Sequence, residues 1–154
     1  HAADDAKSAK QGVLDDAVIE AHKAKDMAPL ENTKTTGLNY MEFEGPIRQV
    51  MDYYAGFRRN MPGMKLALDR LELITKYKDQ VKAKNLHDLM RLREGFDLLE
   101  LCKIHLGACL QRKETGRGMY KLSDYPQLDP SLDKGLVVQC KNGEPSYTWL
   151  EKTA

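Results

Sequence analysis

The sequence predicts a mostly α-helical fold: a three-helix antiparallel bundle with an N-terminal helical arm and a C-terminal β-hairpin. Apolar residues recur at three- and four-residue steps over much of residues 13–110, which is the period of one helix face. Beyond residue 118 the pattern changes to loop-forming residues and then to two short β-type runs. The 154 residues are 42% hydrophobic, which is enough for one core and too few for a second large domain.

Two regions are expected along the chain. Residues 1–42 are predicted to form the helical arm and a linker, and residues 43–154 the bundle domain with its hairpin. The arm carries alanine and valine residues in a narrow apolar stripe at helical spacing. Pro29 disfavours helix at Ala28, and residues 31–39 are rich in asparagine and threonine, which is typical of a linker.

Three amphipathic segments make up the predicted bundle. The first covers residues 46–60, with a proline in its first turn and Pro62-Gly63 ending it. The second covers residues 64–83. The third follows Asn85, a good N-cap residue, and extends through residues 86–110. This last segment is the longest and has the widest apolar face, so we expect it to be the central helix, in contact with both others.

The C-terminal region is predicted to be a β-hairpin. Residues 135–140 and 145–150 flank Asn142-Gly143, a pair that readily adopts the positive φ angles of a tight hairpin turn. Because an isolated hairpin is only marginally stable in water, we expect it to lie on the bundle or on a missing partner.

Composition excludes several classes of function. The 24 basic and 23 acidic side chains leave a net charge of +1, which disfavours nucleic-acid binding. The apolar runs are far shorter than the ~20 residues of a membrane span, and the first residues lack an apolar signal core. Three cysteines, Cys102, Cys109 and Cys140, form an odd set that fits free thiols in a reducing compartment, so a cytoplasmic location is expected.

Known catalytic signatures are missing from the sequence, and the strongest metal candidate is incomplete. Cys102, His105 and Cys109 share one face of the long predicted helix, but structural zinc generally takes four ligands from two elements. A packed apolar face is the favoured interpretation, since free cysteines are commonly buried. The common nucleophile, zinc, dinucleotide and phosphate motifs are absent. We therefore assign no catalytic, metal or cofactor-binding residue to this chain.

The segment that ends the long helix is the most informative one. Residues 111–118 combine Arg112, Glu114 and Arg117 with two glycines, directly after a strongly apolar stretch. One interpretation is a helix C-terminus whose cations favour the negative end of the helix dipole. The other is an ordered joint against another domain, in which the arginine forks bind carboxylates or backbone carbonyls.

At this segment the sequence resembles the C-terminal helical domain of the succinate dehydrogenase and fumarate reductase flavoprotein superfamily. In that family a long helix ends in Arg-x-Glu-Ser-Arg-Gly and is followed by Asp-Tyr-Pro and Asp. Here residues 112–118 carry Arg-Lys-Glu-Thr-Gly-Arg-Gly, with one residue more before the second arginine, and residues 124–129 carry Asp-Tyr-Pro-Gln-Leu-Asp. Residues 82–91 and the Tyr-Thr-Trp of residues 147–149 are similar to the adenylylsulfate reductase alpha subunit. The resemblance spans residues 43–154.

The resemblance implies a parent enzyme that holds FAD and commonly works with an iron-sulfur subunit. It implies that this chain holds no cofactor and packs against the FAD-binding domain as an accessory domain, inactive alone. Five residues are the candidates for that contact: Arg112, Glu114, Arg117, Asp124 and Tyr125. If the partner of Arg117 lies on the other domain, Arg117→Ala should shift the melting temperature of this chain by only a few degrees.

Two other functions remain open from the sequence. A free-standing helical module could bind a partner protein through the bundle face or the hairpin. A small metal or redox-thiol protein is the weaker alternative, and it would use the cysteines described above.

Overall fold

The computed structural model describes residues 7, 12, 15–32, 36–118, 120–142 and 144–152. Within these ranges the chain forms four α-helices: α1 (Asp16–Glu31), α2 (Tyr40–Tyr54), α3 (Met61–Thr75) and α4 (Leu86–Gln111). The strands are β1 (Arg58–Arg59), β2 (Lys121–Leu122), β3 (Gly135–Lys141) and β4 (Glu144–Leu150), and two 3-10 turns cover Lys78–Gln80 and Pro130–Leu132. The mostly α fold class with a C-terminal hairpin is confirmed.

Helices α2, α3 and α4 pack as an up-down-up bundle. Glu44 near the start of α2 pairs with Arg91 near the start of α4, so these two helices run in the same direction. Near the end of α3, Glu72 pairs with Lys103 of α4. At the start of α3, Met61 contacts Asp124, which lies beyond the C-terminal end of α4. Going back along α3 thus means going forward along α4. Helix α3 is therefore antiparallel to α4. The largest fully buried apolar side chains come from all three helices and from β2: Phe43, Ile47, Met64, Leu71, Leu92, Leu99, Leu106 and Leu122.

Helix α4 is the central element, as the sequence predicts. The Asn85 side chain accepts a hydrogen bond from the Asp88 backbone N–H at 2.9 Å, which caps the first turn. The helix contacts the other three helices and both strands of the hairpin. A Cβ at Gly95 would lie 3.3 Å from the Phe43 ring, so glycine allows α2 to approach α4 closely.

The predicted start and end of the first bundle helix are wrong. Helix α2 begins at Tyr40 because Asn39 and Glu42 form a reciprocal capping box: the Asn39 side chain accepts from the Glu42 N–H, and the Glu42 carboxylate accepts from the Asn39 N–H. Pro46 therefore lies inside the helix, on its exposed side, and not in its first turn. The helix ends at Tyr54.

The predicted ends of the second bundle helix are also wrong. Asn60 caps α3 by accepting from the Gly63 N–H at 2.7 Å, and Pro62 occupies the first turn, where a missing N–H costs nothing. Pro62-Gly63 thus opens α3 and does not end the preceding helix. Helix α3 stops at Thr75, and Val81 is extended and pairs with Leu38.

The helix of the arm extends further toward the C-terminus than expected. Helix α1 continues through Ala28 and Pro29, so the predicted break at Ala28 is wrong. Pro29 is the buried residue of α1, and its carbonyl accepts from the Ala83 N–H at 2.8 Å, a tertiary contact that holds this end on the bundle. Of the predicted apolar stripe, Val18 is 50% exposed, and residues 13 and 14 lie outside the described residues. The division between residues 42 and 43 stays a prediction; it falls in the first turn of α2.

The predicted hairpin is confirmed and lies on α4. Strands β3 and β4 pair antiparallel with Lys141 opposite Glu144, and Asn142 has a φ of 55° in the connecting turn. Gly143 lies outside the described residues. The Tyr147 hydroxyl donates to the Ile104 carbonyl at 3.3 Å, and a Cβ at residue 107 would collide with that hydroxyl. Glycine at position 107 therefore allows the hairpin to lie on the helix.

None of the helices in the described ranges is both long and apolar enough to cross a membrane.

Candidate domain interface

A buried carboxylate organises the chain where α4 ends. The Glu114 residue is 1% exposed, and its two oxygens face two different arginines. Arg112 Nη1 lies 2.6 Å from Oε1, and Arg117 Nη1 lies 2.7 Å from Oε2. Oε2 also accepts from the Asp129 backbone N–H at 3.0 Å. The buried charge is thus compensated by two cations and one amide, an arrangement that we call the ion triad (Arg112, Glu114 and Arg117).

The two arginines extend the ion triad to neighbouring segments. Arg112 donates to the carbonyls of Leu132 and Lys134 at 3.0 and 2.9 Å, and its guanidinium lies 4.9 Å from the Trp149 ring centre. Arg117 donates to the Asp129 carbonyl at 2.8 Å. The end of α4, residues 129–134 and the hairpin are therefore joined through two guanidinium groups.

Thr115 holds the loop that precedes those segments. Its hydroxyl donates to the Tyr125 carbonyl at 2.8 Å and accepts from the Leu122 N–H at 2.9 Å, and its N–H donates to the Gln127 carbonyl at 3.0 Å. Gly116 follows with a φ of 116°, a left-handed conformation that side chains other than glycine rarely adopt. The chain turns back at this point, which brings residues 122–129 against the end of α4.

The structure brings three of the five candidate residues together and gives the other two separate roles. Arg112, Glu114 and Arg117 form the ion triad, while Asp124 caps α3 by accepting from the Met61 N–H at 2.6 Å. Tyr125 is 37% exposed and borders a shallow cavity of about 330 Å³ between residues 113 and 130. We call the exposed part of this loop, with Lys113, Tyr125 and Leu128, the loop surface.

The expectation that the partner of Arg117 lies on another domain is wrong. Its three partners, Glu114, the Asp129 carbonyl and the Asp133 carboxylate, all belong to this chain. Sequence reasoning also misses Thr115 and Asp129. Asp129 has a detectable signal, because its side chain accepts from the Ser131 N–H across a proline, the pattern of a helix N-cap. Thr115 has no such signal, because its partners are main-chain groups.

Arg117→Ala is instead expected to lower the free energy of unfolding by about 1.5–3 kcal/mol, because it removes one charged hydrogen bond from a buried carboxylate and another from the Asp129 carbonyl. Arg112 and the Asp129 N–H remain on Glu114, which keeps the loss below that of removing the carboxylate itself. Urea unfolding followed by circular dichroism measures the change. A loss below about 0.5 kcal/mol, the range of ordinary surface substitutions, would show that Arg117 contributes little to this chain alone.

The alternative metal candidates lie beside the triad, next to an arginine. Cys109 Sγ is 3.6 Å from His105 Nε2, and Arg59 Nη1 lies 3.0 Å from both atoms. A guanidinium at this distance repels a metal cation and donates to both groups. Cys102 is buried, and burial raises the pKa of its thiol. Over the part of the chain that the structure describes, no three His, Cys, Asp or Glu side chains are grouped so that they could hold a metal ion.

His105 is expected to make stability depend on pH. Burial, and then the nearby Arg59 cation, lower the pKa of His105 below its ordinary 6.5. The unfolded chain therefore takes up this proton at higher pH than the folded chain, so the contribution is fully present above about pH 6.5 and is lost as the pH falls further. His105→Gln should modestly flatten the decline in unfolding free energy below pH 6.5, because the His105 residue is only partly withdrawn from solvent and water screens the effect. Equal slopes for the wild type and His105→Gln would contradict this assignment.

Comparison with known proteins places the fold. No protein-family model matches the chain. It is 27% identical over 149 residues to an uncharacterized FAD-dependent oxidoreductase of Methanocaldococcus jannaschii, a match that covers 95% of this chain and 26% of that protein. The chain thus spans about a quarter of the length of this relative.

In solved structures, too, this chain matches about a quarter of a longer chain. Adenylylsulfate reductase from Archaeoglobus fulgidus superposes with a TM-score of 0.85 and 24% identity, over 94% of this chain and 26% of that one. The Mycobacterium smegmatis Sdh1 complex superposes with a TM-score of 0.80 and 21% identity, over 99% of this chain and 27% of that one.

The bundle and the hairpin together have the fold of a helical domain that occurs within longer flavoprotein oxidoreductase chains. More particularly, the chain shares this fold with the adenylylsulfate reductase and Sdh1 chains, which confirms the resemblance to the C-terminal helical domain of the succinate dehydrogenase and fumarate reductase flavoprotein superfamily. Residues 82–91 and 147–149 predict similarity to adenylylsulfate reductase, and that protein is among the structures that superpose.

Proposed function

We propose that this chain is the helical accessory domain of an FAD-dependent oxidoreductase and that it packs against the flavin-binding domain of that enzyme. The proposal rests on the share of each chain that superposes. Nearly the whole of this chain matches about a quarter of much longer flavoprotein chains. In this proposal the domain contributes no catalytic group and helps to position the larger catalytic body beside it.

The loop surface is the proposed point of contact. Tyr125 and Leu128 are 37% and 51% exposed, and Lys113 borders the same cavity. Exposed aromatic and aliphatic side chains held by a rigid frame are typical of protein interfaces, because little conformational entropy is lost on binding. In this proposal the ion triad and Asp124 act as positioning residues, since their charged groups already have partners in the chain.

FAD is assigned to the parent enzyme and not to this chain. Dinucleotides are commonly held by a parallel strand-turn-helix unit with a glycine-rich turn. The described residues contain a two-residue parallel pair and a hairpin, and neither provides that unit. The isolated chain is therefore proposed to be inactive. We propose that the parent enzyme also binds an iron-sulfur subunit. We further propose a cytoplasmic location, in which the free thiols Cys102, Cys109 and Cys140 stay reduced.

A binding experiment tests the proposed function. The gene region that encodes this chain is searched for a dinucleotide-binding fingerprint, and the flavin-binding polypeptide found there is expressed, loaded with FAD and mixed with this chain. We expect a stoichiometric complex in size-exclusion chromatography and a change in flavin fluorescence. Tyr125→Ala should weaken the complex, whereas Tyr77→Ala, at a 42% exposed tyrosine that follows the far end of α3, should not.

Two results would overturn the proposal. The first is no complex with the flavin-binding polypeptide, which would favour a free-standing interaction module. The second is flavin-dependent turnover or tight FAD binding by the isolated chain.

A further inference from the structure

We propose that a second surface, made of Phe57, Arg58 and Lys121, binds an acidic, partly apolar surface of the flavin-binding domain. We call these three residues the cationic-aromatic patch. This inference rests on the proposed function and adds to it the chemistry of the partner surface: an apolar depression for one aromatic ring, bordered by carboxylates.

The patch is built by the short parallel pair β1 and β2. Arg58 lies opposite Lys121 in the register, and the Lys121 N–H donates to the Phe57 carbonyl at 2.8 Å. The Phe57 side chain is 62% exposed, and Lys121 Nζ lies 5.9 Å from its ring centre. Main-chain hydrogen bonds thus hold an exposed phenylalanine and two cations side by side.

The charges of the patch are unbalanced. Among the described residues neither Arg58 nor Lys121 forms an ion pair, whereas Arg112 and Arg117 share Glu114. Both patch cations are exposed. Carboxylates on a partner would therefore gain attraction without displacing an existing pair, and this complementarity speeds association and selects the partner. Large aromatic side chains and arginine are also enriched at interface centres.

The patch is continuous with the loop surface. Lys121 is followed by Leu122, which is 1% exposed and whose N–H donates to the Thr115 hydroxyl. Asp124, two residues further, caps α3. Both surfaces therefore lie at the same end of the bundle and move with one rigid segment, so one partner can cover both. Nucleic acid is the less favoured occupant, since two cations and one ring are few for a strand that requires repeated phosphate and stacking contacts.

Charge reversal tests the inference. The affinity of the FAD-loaded flavin-binding polypeptide is measured by calorimetry for the wild type, for Arg58→Glu/Lys121→Glu and for Phe57→Ala. Lys76→Glu/Lys84→Glu is the matched control, with the same change in net charge at two exposed lysines that lack an ion pair in the described structure. Lys76 follows the far end of α3, about 22 Å along that helix from Met61. Circular dichroism melting verifies that each variant is folded.

The expected result is about tenfold or greater weakening for the patch reversal and for Phe57→Ala, with the control within about twofold of the wild type. The wild-type affinity should also fall with added salt, and the patch reversal should show little of that dependence. Wild-type binding with equal affinities for the patch reversal and the control would overturn the inference and leave the proposed function standing. An absence of wild-type binding would overturn both. Tighter binding of a single-stranded oligonucleotide, abolished by the reversal, would identify the patch as a nucleic-acid site and overturn the inference.

Discussion

Glu114→Ala is expected to lower the free energy of unfolding of this chain by about 3–5 kcal/mol. The Glu114 side chain is fully buried, and the Arg112 and Arg117 side chains that it neutralises are only 15% and 26% exposed. Removing the carboxylate leaves two like charges close together in a poorly solvated place, and it also removes the acceptor of the Asp129 N–H. Both losses destabilise the same segment, residues 112–129.

Chemical denaturation of the wild type and the variant measures the loss. Glu94→Ala is the matched control, because Glu94 also pairs with an arginine but its side chain is 51% exposed. An exposed pair of this kind contributes at most about 1 kcal/mol. Glu114→Gln should fall between the two, since the amide keeps the size and one acceptor oxygen but not the charge. If the loss for Glu114→Ala were no larger than for Glu94→Ala, the ion triad would not hold this segment together.

The triad also explains how the segment after α4 is fixed with few apolar contacts. Residues 123–128 are exposed, so hydrophobic burial does little to order them. Two guanidinium groups, the Thr115 hydroxyl and several main-chain carbonyls fix the positions of these residues instead. Buried polar networks of this kind specify one geometry when every member has a partner. A rigid loop surface is the property that the proposed docking requires.

Local signals determine which helix ends can be predicted. Asn85 is recognisable as a cap because an apolar periodic segment follows it directly, and Asn142-Gly143 marks the hairpin. Asn39 and Asn60 are equally good caps, but the prolines at 46 and 62 are the more conspicuous signals in the sequence and point to different boundaries. A proline lacks only one hydrogen bond, whereas a capping box satisfies two free N–H groups, so the cap determines the start of α2.

The candidate interface is predictable in its residues but not in its connections. Arg112, Glu114 and Arg117 are detectable because charges and glycines follow an apolar helix, and because the order matches a known family. Their other partners are carbonyls of residues 129, 132 and 134, and a carbonyl is present at every position of a chain. No residue type marks such a contact, so only the folded structure shows that the arginines bind within this chain.

Leu99→Ala is expected to cost ~2–5 kcal/mol of unfolding free energy, because it opens a cavity at the centre of the bundle. Leu92, Leu99 and Leu106 lie on one face of α4, each with no measurable exposure, and they pack in the same core as residues from α2 and α3. Leu101→Ala is the control on the same helix, since Leu101 is 62% exposed and its truncation should change stability by less than about 0.5 kcal/mol. The two variants remove the same atoms from the same helix, so their difference isolates burial from helix propensity. Similar losses for both would mean that the face of α4 assigned to the core is wrong, and with it the central position of this helix.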